Sequence, residues 1–324
     1  MKVLRLHGAR DLRLHDEPSP AAAPGEVLVR VTAVGLCGSD RHWFEDAGIG
    51  DAVLERPLVL GHEFVGVVEG GSRAGERVAV DPAIPCARCA TCLAGQPHLC
   101  LEVQFAGHDV TDGALRTRLS WPAELAHALP DSLSDAEATL LEPLGVALHA
   151  LDLGHVQAGT TAGVFGCGPI GLLLIQALQA AGASAVVAKD VLPHRLEAAV
   201  ALGATAAGAA GSDEIVDVAF ETAGEDAALD DAIAATRPGG RVVLVGIPSG
   251  DRTSFTASAA RRKGLTLLLS RRMEATDLSR ALRLVESGLV DLAPLVTARY
   301  GLDEWRDAFA DLVQQRGLKV VIEP

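Results

Sequence analysis

The chain has 324 residues, 49% of them hydrophobic, which is enough for two domains with sizeable cores. Its net charge of −14 argues against nucleic acid and anionic membranes as partners, because their phosphates would be repelled. The first residues alternate like a strand and lack the apolar core of a secretion signal, so we expect a cytoplasmic protein. The uncharged stretch 162–188 is interrupted by glycine and proline, which favours a buried strand and helix over a membrane span.

The N-terminal part of the chain is rich in short alternating runs, punctuated by glycine and proline, that are typical of strands. The clearest runs are Glu26–Val34, Phe64–Glu69 and Arg77–Asp81. Residues Leu140–Leu153 then show helical spacing and introduce a different pattern. We therefore predict a β-rich first domain that ends near residue 145.

From Thr161 to about Ser270 strands and helices alternate, which predicts a parallel, doubly wound sheet. The predicted strands are Val164–Gly166, Ala185–Lys189, Val216–Glu221, Arg241–Gly246 and Leu265–Leu269. The predicted helices between them are Pro169–Ala181, Pro193–Leu202 and Ala227–Thr236. Beyond Arg272 the pattern predicts a helix over Thr276–Ser287 and a strand over Lys319–Glu323.

A glycine-rich turn follows the first strand of this alternating region. Gly166 permits a tight turn, Gly168 lets the backbone approach a pyrophosphate, and Gly171 allows close packing of helix on strand. The N-terminus of the following helix offers free N–H groups to the phosphates. A turn that binds no nucleotide is the alternative, but the strand–turn–helix context favours a dinucleotide. The complete string is Gly166-Cys167-Gly168-Pro169-Ile170-Gly171.

An acidic residue, Asp190, lies at the end of the next predicted strand, nineteen residues after Gly171 (190 − 171). A carboxylate there accepts hydrogen bonds from the ribose 2′-hydroxyl and repels a 2′-phosphate, which favours NAD over NADP. The neighbouring cations Lys189 and Arg195 weaken this preference slightly.

Four of the six cysteines lie within fifteen residues, in a segment that is rich in proline and glycine and that we call the cysteine lobe (86–100). Four thiolates saturate a tetrahedral zinc ion and leave no open position, so the spacing predicts a structural zinc site. An iron–sulfur cluster and a redox disulfide are the alternatives. The ligands would be Cys86, Cys89, Cys92 and Cys100.

Two further strings carry candidate ligands for a catalytic metal, Gly35–His42 and Gly61–Gly66. Cys37 and His62 are suitable zinc ligands, and a catalytic zinc needs one more protein ligand and one open position. Glu63 and Glu142 are the candidates for the third ligand. Spacing alone leaves open that Cys37 is a buried apolar residue and His62 a hydrogen-bonded core residue.

These strings resemble the zinc-containing medium-chain dehydrogenase/reductase family, in particular its sorbitol, xylitol and L-idonate dehydrogenase branch. The resemblance covers nearly the whole chain. It implies an α/β fold with a GroES-like β catalytic domain (1–145, completed by 273–324) and a Rossmann NAD-binding domain (146–272). The other matching strings are Glu142-Pro143-Leu144, Val245-Gly246-Ile247 and Gly317-Leu318-Lys319-Val320.

The resemblance implies roles for the residues around the catalytic zinc. Cys37 and His62 would bind it, with Glu63 or Glu142 completing the shell directly or through water. Asp40 would orient His62, while Ser39 and His42, or Glu142 through water, would remove the alcohol proton.

The resemblance also implies roles near the cofactor. The backbone of Val245, Gly246 and Ile247 would hold the nicotinamide carboxamide. Arg272 would lie near cofactor and substrate, with an exposed helix-leading arginine as the alternative. Cys167 would serve packing.

We therefore expect two zinc ions, NAD, and oxidation of a secondary alcohol to a ketone, in a homodimer or homotetramer that acts on a small molecule. Trp43 and Met273 replace residues with aromatic hydroxyls in the polyol enzymes, so we expect a sugar acid, cyclitol or related alcohol as substrate and not sorbitol. The segments Glu69–Glu76 and Gly208–Ile215 are shorter than in relatives. An L-threonine 3-dehydrogenase, a non-catalytic NAD-sensing or interaction protein, and a thiol-redox protein are the alternatives.

Overall fold

The computed structural model describes residues 1–208, 214–250 and 252–324. Within these ranges the chain forms two compact units. The first unit comprises Met1–Glu142 and Leu292–Pro324, and the second comprises Pro143–Asp291. Five residues of the shortened segment 208–215 lie outside the described residues.

The strands of the described residues are β1 (Lys2–Gly8), β2 (Asp11–Asp16), β3 (Glu26–Gly35), β4 (Gly48–Ile49), β5 (Ala52–Val53), β6 (Leu58–Val59), β7 (Glu63–Glu69), β8 (Arg77–Val80), β9 (Ala83–Ile84), β10 (Gln104–Phe105), β11 (Arg118–Pro122), β12 (Ala126–Ala128), β13 (Thr161–Phe165), β14 (Ala185–Lys189), β15 (Ala206–Gly208), β16 (Val216–Glu221), β17 (Thr236–Leu244), β18 (Thr266–Leu269), β19 (Val296–Gly301) and β20 (Lys319–Glu323). The helices are α1 (Gly38–Asp46), α2 (Ala90–Leu93), α3 (Asp135–Ala138), α4 (Leu141–Leu153), α5 (Pro169–Ala180), α6 (Pro193–Ala201), α7 (Asp226–Ala235), α8 (Ala257–Lys263), α9 (Asp277–Glu286) and α10 (Trp305–Val313). Short 3-10 helices cover Pro97–Leu99, Ala123–Leu125, Ala293–Leu295 and Leu302–Glu304.

The first unit is built on a seven-stranded sheet of order β12-β8-β7-β3-β20-β19, with β11 also paired to β3. The long strand β3 is the centre of this sheet, because it pairs antiparallel with β7 along most of its length, with β11 near its start and with β20 at its end. Its alternating valines face a core that also contains Trp43, Phe64 and Trp121. The C-terminal strand β20 is therefore part of the sheet that carries Cys37 and His62 at the ends of its strands.

The second unit is a six-stranded, wholly parallel sheet of order β15-β14-β13-β16-β17-β18. This is the doubly wound order of dinucleotide-binding domains. Its first helix, α5, has almost no polar surface and is buried from Gly171 to Leu178, which explains the uncharged stretch of the sequence. Among the described helices, none combines the length and the apolar character that a membrane crossing requires.

The second unit extends to Asp291, beyond the predicted boundary at residue 272. The physical reason is that the segment 273–291 makes its contacts with α4 and α5. The Met273 side chain packs closely over Gly145, and Arg280 forms a salt bridge with Asp152 at 2.5 Å. The Gln176 side chain donates to the carbonyl of Asp291 and accepts from its N–H.

Candidate active site

The cysteine lobe brings its four thiols together, with all four Sγ atoms within 4.8 Å of one another. Cys89 Sγ lies 3.5 Å from Cys92 Sγ and 3.9 Å from Cys100 Sγ. The N–H of Cys86 donates to Cys100 Sγ at 3.3 Å, and the N–H of Cys89 donates to Cys86 Sγ at 3.4 Å. These amide donors favour thiolate over thiol at the sulfur atoms that accept them.

These sulfur separations fit a tetrahedral zinc ion. With Zn–S bonds of about 2.3 Å, tetrahedral geometry places two sulfur atoms about 3.8 Å apart. A disulfide would require about 2.05 Å, and all four cysteines are free. The hydroxyl of Thr91, 3.1 Å from Cys89 Sγ, contributes most to lowering the pKa of Cys89 to about 5. The lobe is therefore suited to a structural zinc ion, as its spacing predicted.

A second ligand cluster lies in the first unit, where Cys37, His62 and Glu63 offer ligand atoms within 4.8 Å of one another. Cys37 immediately precedes α1, and Glu63 is the first residue of β7. His62 and Glu63 are 6% and 1% exposed, and Cys37 is half-buried. A thiolate, an imidazole and a carboxylate in this arrangement fit a zinc ion that keeps one position open for substrate.

Two glycines make the room that this cluster needs. A Cβ atom at Gly35 would lie 2.3 Å from Glu63 Oε2, which is far inside van der Waals contact. Gly61 has a φ of +92°, and a Cβ there would lie 2.7 Å from the Val34 side chain. Both positions are therefore restricted to glycine by the close approach of the ligand segments.

Asp40 connects the two ligand-bearing segments through their backbones. Its Oδ2 accepts the N–H of Cys37 at 2.9 Å, and its Oδ1 accepts the N–H of Gly61 at 3.1 Å. Its Oδ1 lies 3.9 Å from His62 Nδ1, which is an ion-pair distance and too long for the predicted orienting hydrogen bond. Asp40 thus acts on His62 through charge, and on the geometry of the cluster through backbone amides.

The electrostatics of the cluster favour a cation beside His62. Burial opposes protonation of this imidazole, but the negative charges of Asp40 and Cys37 outweigh it and raise the pKa of His62 to about 10. The surrounding groups thus stabilise a positive charge at the imidazole, which a metal ion can supply in place of a proton.

The two candidate glutamates have different environments. Glu63 belongs to the ligand cluster, and Lys319 Nζ contacts both its carboxylate oxygens. Glu142 lies outside that cluster but is 7% exposed, and burial raises the pKa of Glu142 to about 7. The geometry therefore favours Glu63 over Glu142 as the third ligand, while Glu142 is suited to exchanging a proton near neutral pH.

In the second unit, the glycine-rich turn between β13 and α5 has the shape that its sequence predicted. Gly166 has a φ of +107°, and a Cβ atom at Gly171 would lie 2.0 Å from the Gly166 carbonyl oxygen. Around Gly168 a Cβ atom would meet only Arg195 Nη1, at 3.8 Å, so this face of the turn is open. Pro169 and Ile170 form the first turn of α5 and are half-buried.

Asp190 follows β14 at the edge of this turn and is 8% exposed. Its Oδ2 accepts the N–H of Cys167 at 2.6 Å, and its Oδ1 accepts the N–H of Leu192 at 2.8 Å. Arg195 Nη1 lies 3.9 Å from Asp190 Oδ2. Cys167 is buried, and burial raises the pKa of its thiol to about 12, which suits a packing role and not redox chemistry.

The segment Val245–Ile247 follows β17 and is held by Glu221, the last residue of β16. The backbone carbonyl of Glu221 accepts the N–H groups of Val245 and Gly246, at 2.8 and 3.0 Å. Its Oε1 accepts the N–H groups of Ala223 and Gly224, each at 2.7 Å. Glu221 therefore fixes two neighbouring backbone segments at the carboxyl ends of the parallel strands, where dinucleotides bind. Sequence reasoning gave Glu221 no role.

Two family models match the chain: the "Alcohol dehydrogenase GroES-like domain" covers residues 23–131, and "Zinc-binding dehydrogenase" covers residues 169–287. The chain is also 36% identical to the sorbitol dehydrogenase of Bacillus subtilis (strain 168), over 100% of this chain and 97% of that protein. This chain belongs to the zinc-containing medium-chain alcohol dehydrogenase family. The predicted family membership is confirmed.

Solved structures extend the likeness to the whole fold of this dehydrogenase. A short chain alcohol dehydrogenase from E. coli CFT073, complexed with NADH, matches with a TM-score of 0.89 and 27% identity over 100% of this chain and 99% of that chain. The galactitol-1-phosphate dehydrogenase from Escherichia coli matches with a TM-score of 0.90 and 27% identity over 100% of both chains. The predicted fold class, a GroES-like domain with a Rossmann domain, is confirmed.

Near the cluster of Cys37, His62 and Glu63, the dehydrogenase has a series of aromatic rings, which we call the aromatic row: Phe105, His108 and Trp43. The Phe105 ring lies 5.3 Å from that of His62, and the His108 ring lies 6.4 Å from Phe105 and 5.4 Å from Trp43. Trp43 is 1% exposed, and its Nε1 has no hydrogen-bond partner among the described residues. Phe105 and His108 were not predicted from the sequence, because nothing in their spacing connects them to His62.

The predicted proton-transfer residues both lie on α1. Ser39 and His42 are half-buried, and His42 Nδ1 lies 3.7 Å from Asp46 Oδ2. In the second unit, Arg272 is half-buried with a left-handed φ of +57°, which disagrees with the alternative of an exposed helix-leading arginine. Met273 is buried.

Proposed function

We propose that this dehydrogenase oxidises a secondary alcohol of a polyol, sugar acid or cyclitol to a ketone, with NAD as hydride acceptor. The observation that carries the proposal is the cluster of Cys37, His62 and Glu63. The buried Glu142 interacts electrostatically with His62 and Glu63 of this cluster. The similarity to a sorbitol dehydrogenase along the full chain supports the substrate class.

The residues of the site divide the work between metal binding and proton transfer. Cys37, His62 and Glu63 would hold the zinc ion, which supplies Lewis-acid polarisation of the substrate hydroxyl when bound. Glu142 would accept the alcohol proton, because burial places its pKa near neutrality. Ser39 and His42, one helical turn apart on α1, would pass that proton towards solvent.

The cofactor would lie at the carboxyl ends of the parallel strands of the second unit. The turn Gly166–Gly171 would bind the pyrophosphate, and Asp190 the adenosine ribose. Asp190 supports NAD over NADP, because its carboxylate would repel a 2′-phosphate. Val245–Ile247 would hold the carboxamide, and Arg272 would lie near cofactor and substrate.

The substrate differs from sorbitol in this proposal, because Trp43 and Met273, both buried, replace residues with aromatic hydroxyls in the polyol enzymes. We also infer a cytoplasmic homodimer or homotetramer. The strand β18 supports self-association, since it ends the parallel sheet and leaves Leu269 80% exposed.

The test is a screen of NAD and NADP reduction with polyols, sugar acids, cyclitols and threonine, with zinc measured in parallel. The proposal expects two zincs per chain, NAD preferred, and the highest kcat/KM on a polyol relative, sugar acid or cyclitol. Sorbitol as the best substrate would refute the substrate assignment, and threonine as the best would favour the threonine dehydrogenase alternative. Two zincs without alcohol-dependent NADH formation would refute the catalytic proposal.

A further inference from the structure

The strand β20 carries a lysine that is fully buried behind the metal-ligand cluster. Lys319 Nζ donates to Glu63 Oε1 at 2.8 Å, to Glu63 Oε2 at 2.5 Å and to the Leu36 carbonyl oxygen at 3.1 Å. The side chains of Lys319 and Glu63 are each 1% exposed. An ammonium group has three protons, so these three contacts can use all of them.

The lysine resolves an electrostatic problem at Glu63. Asp40 and Glu142 are buried in the same region, and both raise the energy of a negative charge on Glu63. A buried carboxylate without a cation tends to move towards solvent, which would carry it away from Cys37 and His62. The contacts of Lys319 with both carboxylate oxygens oppose this movement, even before a metal ion binds.

We propose that Lys319 is a positioning residue for the catalytic metal site, which holds Glu63 beside Cys37 and His62 and thereby sets the zinc affinity of that site. The inference rests on the proposed function only in taking these three side chains as metal ligands. Each carboxylate oxygen has two lone pairs, so an oxygen that accepts a hydrogen bond from Lys319 keeps one lone pair for a metal ion. Residues that support metal ligands in this way typically change metal affinity by about 10–100-fold when substituted.

Three variants of the 324-residue chain test this role. Lys319→Met removes the ammonium group but keeps a long side chain, and Lys319→Arg keeps the charge but moves the donors. Lys2→Met is the matched control, because it removes the exposed lysine that pairs with Asp303 in the same unit. The readouts are zinc per chain after dialysis against increasing chelator, and the visible spectrum of the cobalt-substituted protein.

We expect Lys319→Met to lose one of two zincs at about 10–100-fold lower chelator concentration than the unmodified protein, with an altered cobalt–thiolate spectrum. Lys319→Arg should lose it at about tenfold lower concentration, and Lys2→Met should behave like the unmodified protein. Native chelator resistance of Lys319→Met would overturn the proposal. If Lys319→Met does not fold, Lys319→Arg is the deciding variant. A zinc affinity of Lys319→Arg equal to that of the unmodified protein would then overturn the proposal.

These readouts separate this inference from the proposed function. Metal retention is measured without substrate, so a protein that binds two zincs but oxidises no alcohol would refute the function and leave the role of Lys319 standing. Conversely, an active enzyme whose zinc affinity does not change when Lys319 is substituted would refute only the positioning role.

Discussion

Replacement of Gly35 by alanine is expected to displace the Glu63 carboxylate and weaken zinc binding at the catalytic site. The added Cβ would lie 2.3 Å from Glu63 Oε2 and 3.2 Å from Thr139 Oγ1. An ordinary contact needs about 3.4 Å or more, so the oxygen would have to move by about 1 Å. It cannot move alone, because Lys319 Nζ holds the same oxygen at 2.5 Å.

The magnitude follows from overpacking of a buried site, which costs about 1–3 kcal/mol. At about 2–4 °C per kcal/mol for a unit of this size, the melting temperature of the metal-free protein should fall by about 2–12 °C. Displacement of a ligand should also lower zinc affinity by about 10–100-fold, with a parallel loss of kcat/KM at limiting zinc.

The assay combines thermal unfolding after chelation with a zinc titration followed by activity. Gly8→Ala is the control, because a Cβ atom at Gly8 meets nothing within 4 Å and the residue lies in the same unit. Its unfolding free energy should change by less than about 0.5 kcal/mol. A Gly35→Ala protein with unchanged melting temperature and zinc affinity would refute the packing argument.

Three further predictions concern the cysteine lobe, the cofactor site and the titration of the first unit. Cys92→Ser should retain one zinc instead of two, whereas Cys167→Ala should retain both. At a free zinc concentration a thousandfold above the Kd of the cysteine lobe, Cys92→Ser should also lose about 4 kcal/mol of unfolding free energy. Equal zinc contents in the two variants would contradict the assignment of the lobe as a zinc site. Asp190→Asn should raise the KM for NAD about tenfold or more and raise the KM for NADP by a smaller factor. An unchanged ratio of the two KM values would show that Asp190 does not contribute to cofactor selection. Because burial raises the pKa of Glu142 from 4.5 to about 7, the folded metal-free protein holds a proton that the unfolded chain releases, so its stability should fall as pH rises through this range. Glu142→Gln should reduce that fall in a series of melting curves, and an unchanged slope would show that Glu142 does not cause it.

The features that the sequence predicted well are local along the chain. The cysteine lobe and the turn Gly166–Gly171 need only short-range spacing, since each is completed within one loop. The parallel sheet of the second unit was predictable for the same reason, because alternating strands and helices determine a doubly wound order.

The features that were missed depend on contacts between distant segments. Lys319 and Glu63 are 256 residues apart, and no spacing rule connects them. The third metal ligand could not be chosen from sequence, because Glu63 and Glu142 differ in position and not in chemistry. The contacts of Asp40 could not be predicted either, since a carboxylate can accept from a ring or from a backbone amide and only the fold decides which.

The residues that form the cysteine lobe lie close together in the sequence, whereas those that form the catalytic site lie far apart. This difference has a consequence for the order in which the two sites form. Cys86 and Cys100 close a loop of 14 residues, whereas the pair that steadies Glu63 closes one of 256. The entropy of closing the longer loop is greater by about 2.6 kcal/mol, which delays it during folding. A newly made molecule should therefore acquire the metal of the cysteine lobe early and that of the catalytic centre only after β20 has joined β3. A molecule in which β20 has not yet paired with β3 would therefore hold one metal ion and lack the catalytic one.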